Sequence, residues 1–160
     1  MTILLRKLAC VFAVAAGMLV IASSAFAQQA TPLFAVLNSG NECNGASPPI
    51  CRHGDLNGFG SATIIFPTAT MVCFGIVVGG LGSPVILAHI HSGASGINGP
   101  IVIPFIPPAP PPATGNPGAF SRCVPGAAAT ILAIRADPTK FYVNVHTTAF
   151  PAGAIRGQLQ

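Results

Sequence analysis

The chain has very little charge. Its 160 residues include 7 Lys and Arg, 3 Asp and Glu, a single Tyr and no Trp. So few acids exclude chemistry that needs two placed carboxyls, such as glycoside hydrolysis. The acids are Glu42, Asp55 and Asp137, and Asp137 stands in a loop before Pro138. The basic residues are scattered, with no stripe of the kind that neutralises phosphates, so nucleic acid is not an expected partner. There is no G-x-S-x-G hydrolase motif, no acid obviously paired with His146, and no C-x-x-C metal or redox motif. Past the N-terminus no apolar run is long enough to span a bilayer, because Pro and Gly interrupt each candidate.

What is there begins with an export signal. Arg6 and Lys7 precede an apolar run from Leu8 to Ala22, and Ala25-Phe26-Ala27 has the small-x-small pattern of a cleavage site. The run is shorter than the roughly 20 residues of a spanning helix. Residues 1–27 therefore read as a cleaved signal peptide. Residues 28–160 read as one domain without a transmembrane segment, destined for the periplasm or the extracellular space. Cys10 precedes most of the apolar run and is badly placed for lipid attachment. Four cysteines remain, and an even count in an exported chain reads as disulfides. Of the three pairings, Cys43–Cys51 and Cys73–Cys123 are favoured. The first closes a loop containing Pro48-Pro49, and the second ties a central strand to the end of a Pro-rich excursion.

Short β-rich runs punctuated by turn residues dominate the rest. Strands are expected at 33–37, 60–66, 71–78, 85–91, 101–105, 141–147 and 154–159, with a stapled loop at 41–58 and a Pro-rich loop at 106–118. The second and third runs are spaced as a hairpin, and 92–100 reads as a Gly-rich turn. Residues 127–136 suit one helix, ended by Asp137-Pro138. The fold class is all-β: an immunoglobulin-like or Greek-key β-sandwich or barrel of about 7–8 strands with one short helix.

Three of the four histidines fall in two of these strands. His89 and His91 are two apart and share a face. In 141–147, Phe141, Val143 and Val145 take one face and Tyr142, Asn144 and His146 the other. In 85–91, Val85 and Leu87 are assigned to the histidine face and Ile86, Ala88 and Ile90 to its opposite. If the last two strands pair, Arg156 and Gln158 join Tyr142, Asn144 and His146, and His89 and His91 complete the group. Three readings of it stand. His89, His91 and His146 could bind one Zn or Cu ion, with water or His53 as fourth ligand. They could form a structural knot, bonded to the 92–100 turn and to Asn144 or Arg156. Or Arg156, Gln158, Asn144 and the histidines could make an anion or glycan patch. An arginine beside the histidines opposes a cation unless it points away.

The segments His89-Ile90-His91, Gly96-Ile97-Asn98-Gly99-Pro100, Tyr142-Val143-Asn144-Val145-His146-Thr147 and Pro151-x-Gly153-x-Ile155-Arg156-Gly157-Gln158-Leu159 resemble the CHRD domain, named for chordin and common in exported bacterial proteins. The resemblance runs from about Leu33 to Leu159, more loosely at the N-terminal end, where Leu37, Gly40, Glu42 and Gly60 carry it. It implies an immunoglobulin-like sandwich or barrel and no defined activity. Chordin is an extracellular protein that binds growth factors, and nothing here carries that partner over. Ala154 stands where the family often has Glu, which removes a carboxylate near the histidines. His-x-His also resembles the copper strand of Cu/Zn superoxide dismutase. However, His89, His91, His146 and His53, with Asp55, are too few for its two-metal site. The expected role is a non-catalytic extracytoplasmic binding or structural module, its partner an extracytoplasmic protein or glycan. The alternative is a mononuclear Zn/Cu-binding protein, redox-active if the metal is copper.

Overall fold

The computed structural model describes residues 31–43, 50–105 and 118–160. The signal-peptide expectation, the middle of the stapled loop and most of the Pro-rich loop lie outside the described residues. Eight strands and one helix follow in order: β1 (Leu33–Asn38), β2 (Phe59–Thr68), β3 (Met71–Gly79), β4 (Val85–Ser92), β5 (Ile101–Pro104), β6 (Gly118–Pro125), α1 (Ala128–Ala136), β7 (Phe141–Thr147) and β8 (Ile155–Gln158). They form one antiparallel sheet in the order β5-β4-β7-β8-β1-β2-β3-β6. Among the described residues the fold is thus all-β with a single short α-helix, and between sandwich and barrel the single sheet is a nearly closed barrel.

Connection length requires that curvature. β3 and β4 stand five strand spacings apart in the sheet, about 24 Å if it were flat. Residues 80–84 join them, and that linker reaches about 20 Å at full extension. The two ends of the sheet are therefore drawn together. Phe74 of β3 stacks on Phe105 just past β5 at 4.0 Å between centroids. Val72 of β3, Ile103 of β5 and Ile131 of α1 converge on Gly126. Ile131 and Ile134 are the buried residues of α1, so the helix packs its one apolar edge against the core.

Alternation chooses the inward side. Ala35 and Leu37, Ala62, Ile64 and Phe66, Val72, Phe74, Ile76 and Val78, and Phe141, Val143 and Val145 all enter one core, as period-2 strands must when one face is buried. The hairpin of β2 with β3 and the pairing of β7 with β8 form as expected.

Two strands differ from the sequence reading. In β4 the register shifts between Val85 and Leu87. Val85 consequently joins Ala88 and Ile90 in the core, while Ile86 and Leu87 are exposed. A bulge adds one residue and inverts the phase before it, so Val85 does not share the histidine face. β6 occupies residues that the sequence pattern assigns to the end of the Pro-rich loop and beyond it. It pairs with β3 along its full length, from Met71–Pro125 to Val78–Gly118. Its Phe120 and Val124 alternate with Ala119, Ser121 and Cys123, a strand pattern hidden by flanking Pro and Gly. Cys73 lies directly opposite Cys123 and is bonded to it, and Cys43 is bonded to Cys51.

Candidate functional site: a buried histidine group outside the barrel

Every residue of β7 is buried, on the outward face as well as the inward one. An outer face of a barrel is normally wet, so something covers it. The cover comes from loops distant in sequence. Asn41 donates its side-chain amide to Arg156 O, Asn98 donates its own to Cys43 O, and Gln158 donates to Gly93 O and Thr139 O. Asp55 N–H donates to Ala154 O.

Beneath this cover the register sets three rows across β4, β7 and β8. His91 faces Tyr142, which faces Gln158. His89 faces Asn144, which faces Arg156. Leu87 faces His146. One ring nitrogen from each of His89, His91 and His146 lies within 4.8 Å of the other two. The His89 ring stands nearly edge-on to both others, at 4.9 Å from His91 and 4.5 Å from His146.

Two of the imidazoles have a defined tautomer. His91 Nδ1 lies 2.8 Å from Gly99 O, and His146 Nδ1 lies 3.0 Å from Pro151 O. A carbonyl only accepts, so each Nδ1 carries the proton and each Nε2, in the neutral ring, presents a lone pair. Those two Nε2 atoms and His89 Nδ1 are buried without a hydrogen-bond partner. Burial keeps the rings neutral. It pushes His89 down to about 3, with His146 and His91 adding to the effect. It also lowers His91, against the Gly99 hydrogen bond and with help from Arg156. His146 is lowered by burial too, against the Pro151 hydrogen bond and with help from His91.

The other expected residues fall into place around the rings. Tyr142 stacks parallel on His91, 4.8 Å between centroids, and accepts the Gly99 N–H at its hydroxyl. Arg156 is buried, yet its guanidinium is turned to Asn41 O and Asn98 Oδ1 and lies over the Tyr142 ring. The structural reading expected the imidazoles to bond Arg156 or Asn144. Of its expected partners, the 92–100 turn takes up His91 through Gly99 O, and Arg156 binds elsewhere. His53 is exposed and stands outside the histidine group. Asp55 accepts from the Asn57 and Gly82 N–H groups and pins its own loop.

Sequence reasoning missed Glu42. Ala154 does lack a carboxylate, but the loop after β1 supplies one. Glu42 is buried beside Asn144, which donates to its Oε1 at 3.5 Å, while Oε2 has no partner. Burial raises its carboxyl to about 7, against the pull of Arg156 and of the Asn144 hydrogen bond. Its sequence signals were its place in the looser N-terminal part of the CHRD resemblance and beside Cys43, in a chain with so few acids. The loop holds Glu42 at some cost: Arg52, whose N–H donates to Glu42 O at 2.7 Å, has φ 79°. For an L-residue that region costs about 1–2 kcal/mol, and glycine gives back roughly 0.5–1 kcal/mol in entropy. Arg52→Gly is therefore expected to raise stability by about 0.5–1 kcal/mol, read as a higher urea midpoint. An unchanged or lower midpoint would mean that the turn is unstrained.

The fold and site together define an all-β, disulfide-stapled domain with a buried polar group on one outer face. The family model of the CHRD domain matches residues 33–159, and the chain belongs to that family. No curated protein and no solved structure matches it. The two disulfides and the family fit an oxidising, exported location. Among the described residues no helix is long and apolar enough to cross a membrane.

Proposed function

We propose that this CHRD domain is an exported, non-catalytic module that binds one Zn or Cu ion through His89 Nδ1, His91 Nε2 and His146 Nε2. One observation carries the reading: a ring nitrogen from each of the three histidines lies within 4.8 Å of the other two, and His89 Nδ1, His91 Nε2 and His146 Nε2 are buried without a partner. An unpartnered buried polar atom costs about 1–3 kcal/mol, so three together are hard to account for as a structural knot. The carbonyls behind His91 and His146 add a second support, because ligating imidazoles usually donate their other N–H in this way. A tetrahedral ion with Zn–N of about 2.0–2.1 Å sets its donors roughly 3.3 Å apart. The glycan or anion patch has less support, since Arg156 and Gln158 are engaged internally.

The test is metal content by plasma mass spectrometry after incubation with Zn or Cu and desalting, for wild type and for His89→Ala/His91→Ala/His146→Ala. Wild type is expected to retain one equivalent and the variant none. With saturating metal, at about a thousandfold over Kd, wild type should also gain about 4 kcal/mol of stability, and His146→Ala should gain none. No bound metal in wild type would refute the reading and turn attention to extracellular partners.

A further inference from the structure

Three imidazoles account for an ion but leave two buried oxygens unexplained. Glu42 Oε2 and Asn144 Oδ1 also lack a partner. Both residues are more than nine-tenths buried, at 4% and 3% exposure. With the histidine lone pairs they make a face whose unpartnered atoms can all act as acceptors, so its ligand must bring positive charge and hydrogen-bond donors together.

The placement is specific. Asn144 lies directly across from His89 in the register of β4 and β7, and two residues before His146 on the same face. It gives its amide N–H to Glu42 Oε1, which directs its own oxygen elsewhere. The Glu42 carboxyl sits on Gly153, where a Cβ would fall 2.5 Å from its carboxyl carbon. Gly153 belongs to the same turn as Pro151, whose carbonyl holds His146. The donors gathered within 4.8 Å are the three histidines without Glu42. The carboxyl is thus not one of the gathered donors, and through Asn144 it is tied to the face that carries His89 and His146.

A tetrahedral ion held by three protein nitrogens has one position left, and water is its usual occupant. Water coordinated through oxygen presents two hydrogens. We infer that Glu42 Oε2 and Asn144 Oδ1 accept those two hydrogens, so that the site holds an aquo ion with an exchangeable fourth position. This rests on the metal-binding reading above. The carboxylate makes the open position favour small neutral hydrogen-bond donors and disfavour anions, and it is a positioning residue acting through the water.

The experiment uses Co(II) as a visible probe, azide as a competing anion, and the whole purified protein. Wild type is expected to take up one Co(II) and to shift its visible band only at high azide. Glu42→Gln keeps the shape and loses the charge. It is expected to bind one Co(II) as before and azide at least tenfold more tightly. Equal azide affinity in the two proteins would overturn the role of Glu42 and leave the metal reading standing, whereas no Co(II) uptake by wild type would overturn both. A measurement on wild type alone guards against a variant that fails to fold. Cu(II)-loaded protein moved into heavy water should show deuterium coupled to the copper in pulsed electron paramagnetic resonance. Its absence, with copper bound, would overturn the aquo-ion inference by itself.

Discussion

Removing the Cys73–Cys123 bond, by Cys73→Ser with Cys123→Ser to avoid a free thiol, is expected to cost about 4 kcal/mol. Removing Cys43–Cys51 in the same way should cost about 2.5 kcal/mol. The difference follows from chain entropy. The bonds close segments of 50 and 8 residues in sequence separation, and the freedom they remove from the unfolded chain grows with the logarithm of that length. The fold adds a local reason. Among the described residues β6 pairs with β3 alone, at the end of the sheet, so an unbonded β6 has one hydrogen-bonded strand neighbour there to keep it in place. Urea unfolding of the two double variants measures this, and equal losses would mean that loop closure is not the main contribution. The shorter bond has a different importance. It anchors Cys43, next to Glu42, and its loss is expected to disturb the histidine face more than the core.

Acid is expected to destabilise the metal-free protein, with the decline beginning near pH 6.5. His89 falls from 6.5 in the unfolded chain to about 3 in the fold, and His91 and His146 are lowered too. Below pH 6.5 the unfolded chain binds imidazole protons that the folded one refuses. Each such ring removes up to about 1.4 kcal/mol per pH unit as pH falls. Glu42 works in the opposite direction. Its folded value near 7 exceeds the 4.5 of the free group, so between these values the fold holds the extra proton and gains stability as pH falls. From pH 6.5 to 4.5 Glu42 offsets roughly the His89 contribution, and the downward shifts of His91 and His146 leave a net loss. Below 4.5 the offset ends and His89 alone continues the loss toward its folded value near 3. Unfolding free energies at pH 7.5, 6, 5 and 4 test this. A flat profile would mean that the rings take up protons in place and are not kept neutral by burial.

Much of the strand framework was legible in the sequence, because a strand advertises itself locally. Alternation in 141–147 separated Phe141, Val143 and Val145 from Tyr142, Asn144 and His146, and those are the core and outer faces of β7. The spacing of His89 and His91 put both rings on one side. The failures share a cause. The β4 bulge inverted Val85 because one inserted residue leaves no mark in composition. β6 is masked in the sequence because Gly118, Pro117 and Pro125 outweigh a short alternating run that only the pairing with β3 reveals.

Local alternation and turn chemistry by themselves determined that this is an all-β chain of short antiparallel strands, and the motifs around His89, Tyr142 and Arg156 determined its family. Both are properties of residues near one another in sequence. Only the tertiary structure decided that the outer face of β7 is dry, that Arg156 turns to Asn41 and Asn98, and that Glu42 lies against Asn144, 102 residues away. Those contacts depend on where a disulfide-anchored loop lands once the sheet has curled. No periodicity along the chain records that, because the burial that keeps the imidazoles neutral is supplied by residues from elsewhere in the sequence.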